Sequence, residues 1–201
     1  MVTQMRLFGD LQDTAPPMPE GFRYQENIIN EAEEASFVAS LATLELRPFE
    51  FHGYIGKRRV TSFGLRYDYT RRTVDVADEF PSFLAELRNK VAAFAGREVN
   101  EFAQGGVNEY PPGAGIGWHK DKPQFCVVVG VSLLAPATMR LRLPAGKGWI
   151  RKSHELKPRS IYILDGEARM RWEHSIPPVN SLRYSLTFRT LAMNRNAGAL
   201  A

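Results

Sequence analysis

A single cysteine, Cys126, stands among 201 residues, so no intrachain disulfide can form and any metal site must be built from His, Asp and Glu rather than thiolate clusters. No apolar run reaches the roughly twenty residues that span a bilayer, and the stretch from Met1 to Asp10 lacks an apolar segment of signal-peptide length. The expectation is a cytoplasmic protein with no membrane partner. No internal repeat and no low-complexity tract is present, apart from a proline-rich stretch from Thr14 to Pro19. Also missing is any Ser-His-Asp or paired-carboxylate signature. Gly113-Ala114-Gly115-Ile116-Gly117 is not a phosphate loop, because a proline pair precedes it, no helix is expected after it and no lysine follows at the required place.

What is present fits one domain over residues 1–201, with 44% hydrophobic content to fill a core. The formal charge is +4 and the isoelectric point about 9.3, which suits a polyanionic partner without demanding one. Asn30 followed by Glu31 and Glu33 reads as an N-cap with acids in the first turn, and Phe37, Val38 and Leu41 recur at helical spacing. A second helix is expected from near Pro81, with Leu84, Leu87, Val91 and Phe94 on one stripe and Gly96 as its stop. From Gly105 onward the pattern shifts to β-rich runs: Gly106 to Tyr110, Gln124 to Leu133, Met139 to Leu143, Ile161 to Leu164 and Leu182 to Leu191. Helices followed by turn-separated strands predict an α+β fold, an antiparallel sandwich or jelly roll packed on supporting N-terminal helices.

In Trp118-His119-Lys120-Asp121, an offset of two puts His119 and Asp121 on one face of an extended chain, and His174 follows in Trp172-Glu173-His174-Ser175. Two imidazoles and one carboxylate make the facial triad of non-haem Fe(II) oxygenases, although a His-x-Asp pair by itself also fits a surface turn. In the last expected strand, alternation sets Leu182, Tyr184, Leu186 and Phe188 against Arg183, Ser185, Thr187 and Arg189. The polar face is either solvated or a clamp for a dicarboxylate, since arginine offers permanently charged forks. Cys126, inside an apolar run, reads as a small core residue, and His52 and His154 as surface or satisfied histidines.

Asn108-Glu109-Tyr110-Pro111-Pro112-Gly113, Trp118-His119-Lys120-Asp121-Lys122, His174, and Arg183-Tyr184-Ser185-Leu186-Thr187-Phe188-Arg189 together resemble the AlkB family of Fe(II)- and 2-oxoglutarate-dependent dioxygenases. Arg59-Val60-Thr61-Ser62-Phe63-Gly64, with Tyr67 and Tyr69, resembles that family's nucleotide-recognition segment. The resemblance implies a double-stranded β-helix with its core over residues 105–191, a substrate-recognition lid over 50–75 and an extended entry over 1–20. It implies iron on His119, Asp121 and His174, and the distal carboxylate of 2-oxoglutarate on Arg183, Asn108 and Tyr110. Ser185 stands where the family carries asparagine, and Arg189 would serve the end of the co-substrate nearer the metal. Arg59, Phe63, Gly64, Tyr67 and Trp118 are the implied substrate contacts, Trp118 being equally suited to the core.

The implied activity is oxidative demethylation of alkylated DNA or RNA bases with Fe(II), 2-oxoglutarate and O2, releasing succinate, CO2 and formaldehyde. The implied partner is single-stranded or base-flipped nucleic acid, met by a monomer. Lys57-Arg58-Arg59 and Arg71-Arg72 beside the aromatics suit such a strand, and also suit an ordinary hairpin with solvated flanks. Lys122-Pro123-Gln124 occupies the place where many demethylating members carry an acid, leaving open an alternative in which the oxidant meets a protein or small molecule. A metal-free jelly-roll binding module is the remaining reading.

Overall fold

The computed structural model describes residues 17–51, 53–68 and 73–192. His52, Tyr69, Arg71 and Arg72, and the entry segment up to residue 16, lie outside the described residues. In chain order the elements are β1 (Phe22–Gln25), α1 (Glu31–Leu41), β2 (Arg47–Phe51), β3 (Tyr54–Phe63), β4 (Leu65–Asp68), β5 (Thr73–Val76) and α2 (Ala85–Ala95). Then come β6 (Gln104–Tyr110), β7 (Ile116–His119), β8 (Phe125–Leu133), β9 (Ala137–Ala145), β10 (Gly148–Leu156), β11 (Ser160–Leu164), α3 (Gly166–Met170), β12 (Glu173–Ile176) and β13 (Arg183–Leu191).

Local chemistry sets the helix ends where expected. Asn30 Oδ1 accepts from the Glu33 N–H at 2.9 Å while the Asn30 N–H donates to the Glu33 carboxylate at 2.7 Å, a reciprocal capping box. Pro81 opens a short 3-10 turn that runs into α2, and Gly96 ends it in a left-handed conformation at φ 67°. The strands form a seven-stranded sheet in the order β1-β11-β8-β13-β6-β3-β2 and a four-stranded sheet in the order β10-β9-β12-β7, with β4-β5 as a separate hairpin. The ladders between these strands are antiparallel, beside one isolated parallel bridge from Phe63 to Asp78. This is the expected α+β jelly roll.

Two cores follow from strand alternation. Val127, Val129, Val131 and Leu133 of β8 and Tyr184, Leu186 and Phe188 of β13 pack with Phe37, Leu41, Leu84, Leu87 and Val91 from the helices. Val128, Met139, Leu141, Leu156, Tyr162, Trp172 and Ile176 form a second cluster. Polar residues of β13 therefore face the space between sheets, and Arg183, Ser185 and Thr187 are buried there. The alternation expected for this strand holds, except that Leu182 precedes it and is exposed. Cys126 corrects another expectation. Alternation puts it in step with Val128, but so near the start of β8 that it is exposed rather than core.

Candidate metal centre and active-site cavity

The triad is assembled by the smaller sheet. β12 pairs with β7 so that His174 lies directly across from His119, their ring centroids 4.2 Å apart. Asp121 follows β7 by two residues and brings Oδ2 to 3.6 Å from His174 Nε2. One donor atom from each of the three lies within 4.8 Å of the others, and among the described residues this is the one such cluster. His119 Nδ1 sits 2.9 Å from the Gly117 carbonyl, which leaves Nε2 for a ligand role.

Burial governs the charges here. It pushes the His174 imidazole down to about 3, helped by His119 alongside, and lowers His119 as well. Both rings are neutral at pH 7, as a metal requires. Burial acts to raise the Asp121 carboxyl, but Arg189, His174, His119 and Arg169 overcome it and hold the group far below the usual carboxylate range. Arg189 contributes most directly, donating from Nε to Asp121 Oδ1 at 2.9 Å, while its Nη1 is taken by Gln104 Oε1 at 2.7 Å and Thr187 Oγ1 at 2.9 Å.

Beside the triad opens a cavity of about 550 Å³. Of the residues singled out in the sequence, Asn108, Tyr67, Trp118, His119, Asp121 and Arg189 line it. Gly106 forms part of the wall, and a Cβ there would come within 2.9 Å of Thr187 Oγ1. Arg183 lies deeper. It is 1% exposed, its Nε donates to Ser132 Oγ at 3.0 Å, its guanidinium stands 5.2 Å from the Tyr110 ring centroid, and its Nη1 has no hydrogen-bond partner among the described residues. Ser185 is buried opposite Asn108 in the β13–β6 ladder.

Three expected substrate contacts are placed elsewhere. Arg59 makes a bidentate pair with Glu109 at 2.7 and 2.8 Å, and Glu109 also accepts from the Tyr184 hydroxyl at 3.0 Å. Phe63 is 5% exposed in the helix-side core. Gly64 is a backbone joint: at φ 71°, a Cβ would lie 2.3 Å from the Ala103 carbonyl oxygen. The cause is parity, since alternation along β3 turns Arg58, not Arg59, to the cavity. Arg58 is buried, stacks 3.8 Å over Phe49 and donates from Nη1 to Asn108 Oδ1 at 2.7 Å.

Sequence reasoning also missed Tyr162. The ring crosses β8 at Gly130, where a Cβ would meet it at 2.3 Å and its hydroxyl at 2.5 Å. Burial raises that phenol to about 12. Nothing local in the sequence signals it, because its approach to Arg183 depends on the β11–β8–β13 order.

The profile of the 2OG-Fe(II) oxygenase superfamily matches residues 19–189. Curated relatives include the Alkylated DNA repair protein ALKBH8 homolog of Arabidopsis thaliana, 32% identical over 61% of this chain and 42% of that protein. The tRNA (carboxymethyluridine(34)-5-O)-methyltransferase ALKBH8 of Mus musculus is 28% identical over 80% of this chain and 25% of its own length. The chain belongs to the 2OG-Fe(II) oxygenase superfamily as an AlkB-type member. It spans less than half the length of these two relatives. The solved structure of OsALKBH1 superposes with a TM-score of 0.63 at 16% identity, covering 87% of this chain and 99% of that one. A Pseudomonas putida prolyl-4-hydroxylase gives 0.59 at 15% identity, covering 86% and 93%. Both show this oxygenase to be a double-stranded β-helix.

The superfamily's Fe(II) and 2-oxoglutarate suit the residues present. A two-imidazole, one-carboxylate donor set is one that Fe(II) accepts while keeping positions open, and the orphaned Nη1 of a wholly buried Arg183 calls for an anion.

Proposed function

We propose that this oxygenase oxidises an alkyl group on a nucleic-acid base held single-stranded or flipped from its stack. His119, Asp121 and His174 hold Fe(II). Arg183, with Tyr110, Asn108 and Ser185, receives the distal carboxylate of 2-oxoglutarate, and Arg189 steadies Asp121 beside the end nearer the metal. Fe(II), 2-oxoglutarate and O2 together supply the oxidising power to hydroxylate a C–H bond. On an N-methyl group the hydroxylated product breaks down to formaldehyde and the unmodified base, so no protein nucleophile is needed.

The observation that carries the reading is the mixed lining of the cavity. His119 and Asp121 of the triad stand on one side, while Arg58, Arg66, Lys120 and Lys122 accompany Phe49, Tyr67 and Trp118 around the rest, with Glu50 as the acid outside the triad among the described residues. Lys122 Nζ lies 5.2 Å from the Tyr67 ring centroid, so the segment Lys122-Pro123-Gln124, where many demethylating members carry an acid, begins against the β4–β5 hairpin. Cations interleaved with aromatic faces suit a phosphate backbone and a stacked base. The names of the ALKBH8 relatives, one of DNA repair and one of tRNA modification, support a nucleic-acid substrate without choosing between the two polymers. The test is a panel of singly modified single- and double-stranded DNA and RNA oligonucleotides, with iron and 2-oxoglutarate supplied. Formaldehyde or a hydroxylated base, formed in step with succinate, is expected; 2-oxoglutarate turnover stimulated instead by peptides or small molecules refutes the proposal.

A further inference from the structure

The outward face of the smaller sheet carries a stack that the metal centre does not use. Because His119, His174 and Leu141 turn inward on neighbouring strands, alternation turns Trp118, Glu173, Arg140 and Arg142 outward. The Arg142 guanidinium lies 4.4 Å from the Trp118 ring centroid and 4.0 Å from that of Trp149, a three-layer sandwich spanning β7, β9 and β10. Arg140 adds a second cation 5.0 Å from Trp118. Trp149 remains 37% exposed although it sits on an edge strand, where exposed apolar surface is a liability.

Charge on this face is set against itself. Arg151 of β10 is the direct register partner of Arg142, and like charges directly opposite on a sheet repel. Glu173 is taken up by Arg142, accepting from its Nε at 2.6 Å, and Glu155 lies at the far end of β10. Lys147, in the β9–β10 turn at the end of this strip, is exposed. An anion laid along the face relieves this repulsion. The strip also borders the cavity, because the edge strand β7, whose residues Ile116 to His119 line the cavity, is its first strand.

We propose that the outer face of β7-β12-β9-β10 is a docking strip for the nucleic-acid strand flanking the base in the cavity, with Arg151, Arg140 and Lys147 meeting phosphates and the free face of Trp149 stacking a base. The inference rests on the nucleic-acid reading above. Three interstrand gaps of about 4.8 Å put the strip roughly 14 Å across, so a strand must extend beyond the cavity to reach its outer edge.

The experiment compares the affinity of the full chain, loaded with Mn(II) and 2-oxoglutarate, for fluorescein-labelled 15-nucleotide and 3-nucleotide single strands carrying the same modified base. Trp149→Ala is expected to weaken the 15-mer about tenfold, as loss of one stacked base does, and to leave trinucleotide affinity as in the wild type. Arg151→Gln, a milder change at an exposed site, is expected to lower the salt slope of 15-mer binding by about 0.7, the signature of one lost phosphate contact. Wild-type 15-mer affinity and slope in both variants overturns the strip while leaving the base-oxidation proposal standing. Equal losses on both lengths also overturn it, because the damage then lies in the cavity or the fold. Failure of the wild type to bind either strand overturns both.

Discussion

Arg183→Met is expected to move two quantities in opposite directions. Arg183 is a buried guanidinium with one nitrogen lacking a partner among the described residues, and burial lowers its pKa. Exchanging a buried charge for an apolar side chain of similar length is often neutral or stabilising by about 1–4 kcal/mol. The lost hydrogen bond to Ser132 Oγ, worth roughly 1 kcal/mol, offsets part of that gain. Co-substrate binding loses a charge-assisted contact whose partner carboxylate would then be buried unpaired, about 2–5 kcal/mol, or roughly 30- to several-thousand-fold in affinity. Arg183→Lys falls between, because a point charge replaces a fork. The assay pairs thermal melts of the metal-free protein with calorimetric titration of 2-oxoglutarate into the Mn(II)-loaded protein. A variant that melts as high or higher yet binds 2-oxoglutarate far more weakly is the expected result. Unchanged affinity removes Arg183 from the co-substrate site, and a large drop in melting temperature shows the guanidinium to be structural.

Asp121→Ala should abolish succinate formation while circular dichroism shows an intact fold; wild-type turnover excludes Asp121 from the metal shell. The metal-free protein should be acid-sensitive. The folded His174 imidazole titrates near 3 against an ordinary 6.5, so the unfolded chain binds the extra proton first and stability falls as pH drops below about 6.5. At most about 1.4 kcal/mol per pH unit is lost, roughly 2 kcal/mol by pH 5, and melting temperatures flat between pH 7.5 and 5 refute this. Gly64→Ala should destabilise by several kcal/mol, since positive φ and a 2.3 Å approach to the Ala103 carbonyl oxygen act together; denaturant midpoints measure it.

Spacing carried the parts of this fold that depend on period alone. The offset of His119 and Asp121, the alternation from Tyr184 to Arg189 and the cap at Asn30 are local, and each is realised as the sequence implies. Parity was harder. Nothing within Lys57-Arg58-Arg59 tells which arginine faces inward until β3 is registered against β6, where Arg59 lies opposite Glu109. The strand β10 escaped because eight of its nine residues, from Gly148 to Glu155, are exposed or half-buried and mixed in polarity, so no apolar alternation marks it. Tyr162 and Ser132 reach Arg183 only through strand order, which no stretch of sequence encodes by itself.

The direct pairing of His119 with His174 has a mechanical side. β7 has four residues, lies at the border of its sheet and is bonded there to β12. An ion gripped by both imidazoles would act as a rivet through that border, joining by coordination two segments otherwise held by a few amide bonds. Emptying the site should therefore loosen the outermost strand before the rest of the barrel, and deuterium uptake at Ile116 to His119 should rise first when a chelator is added.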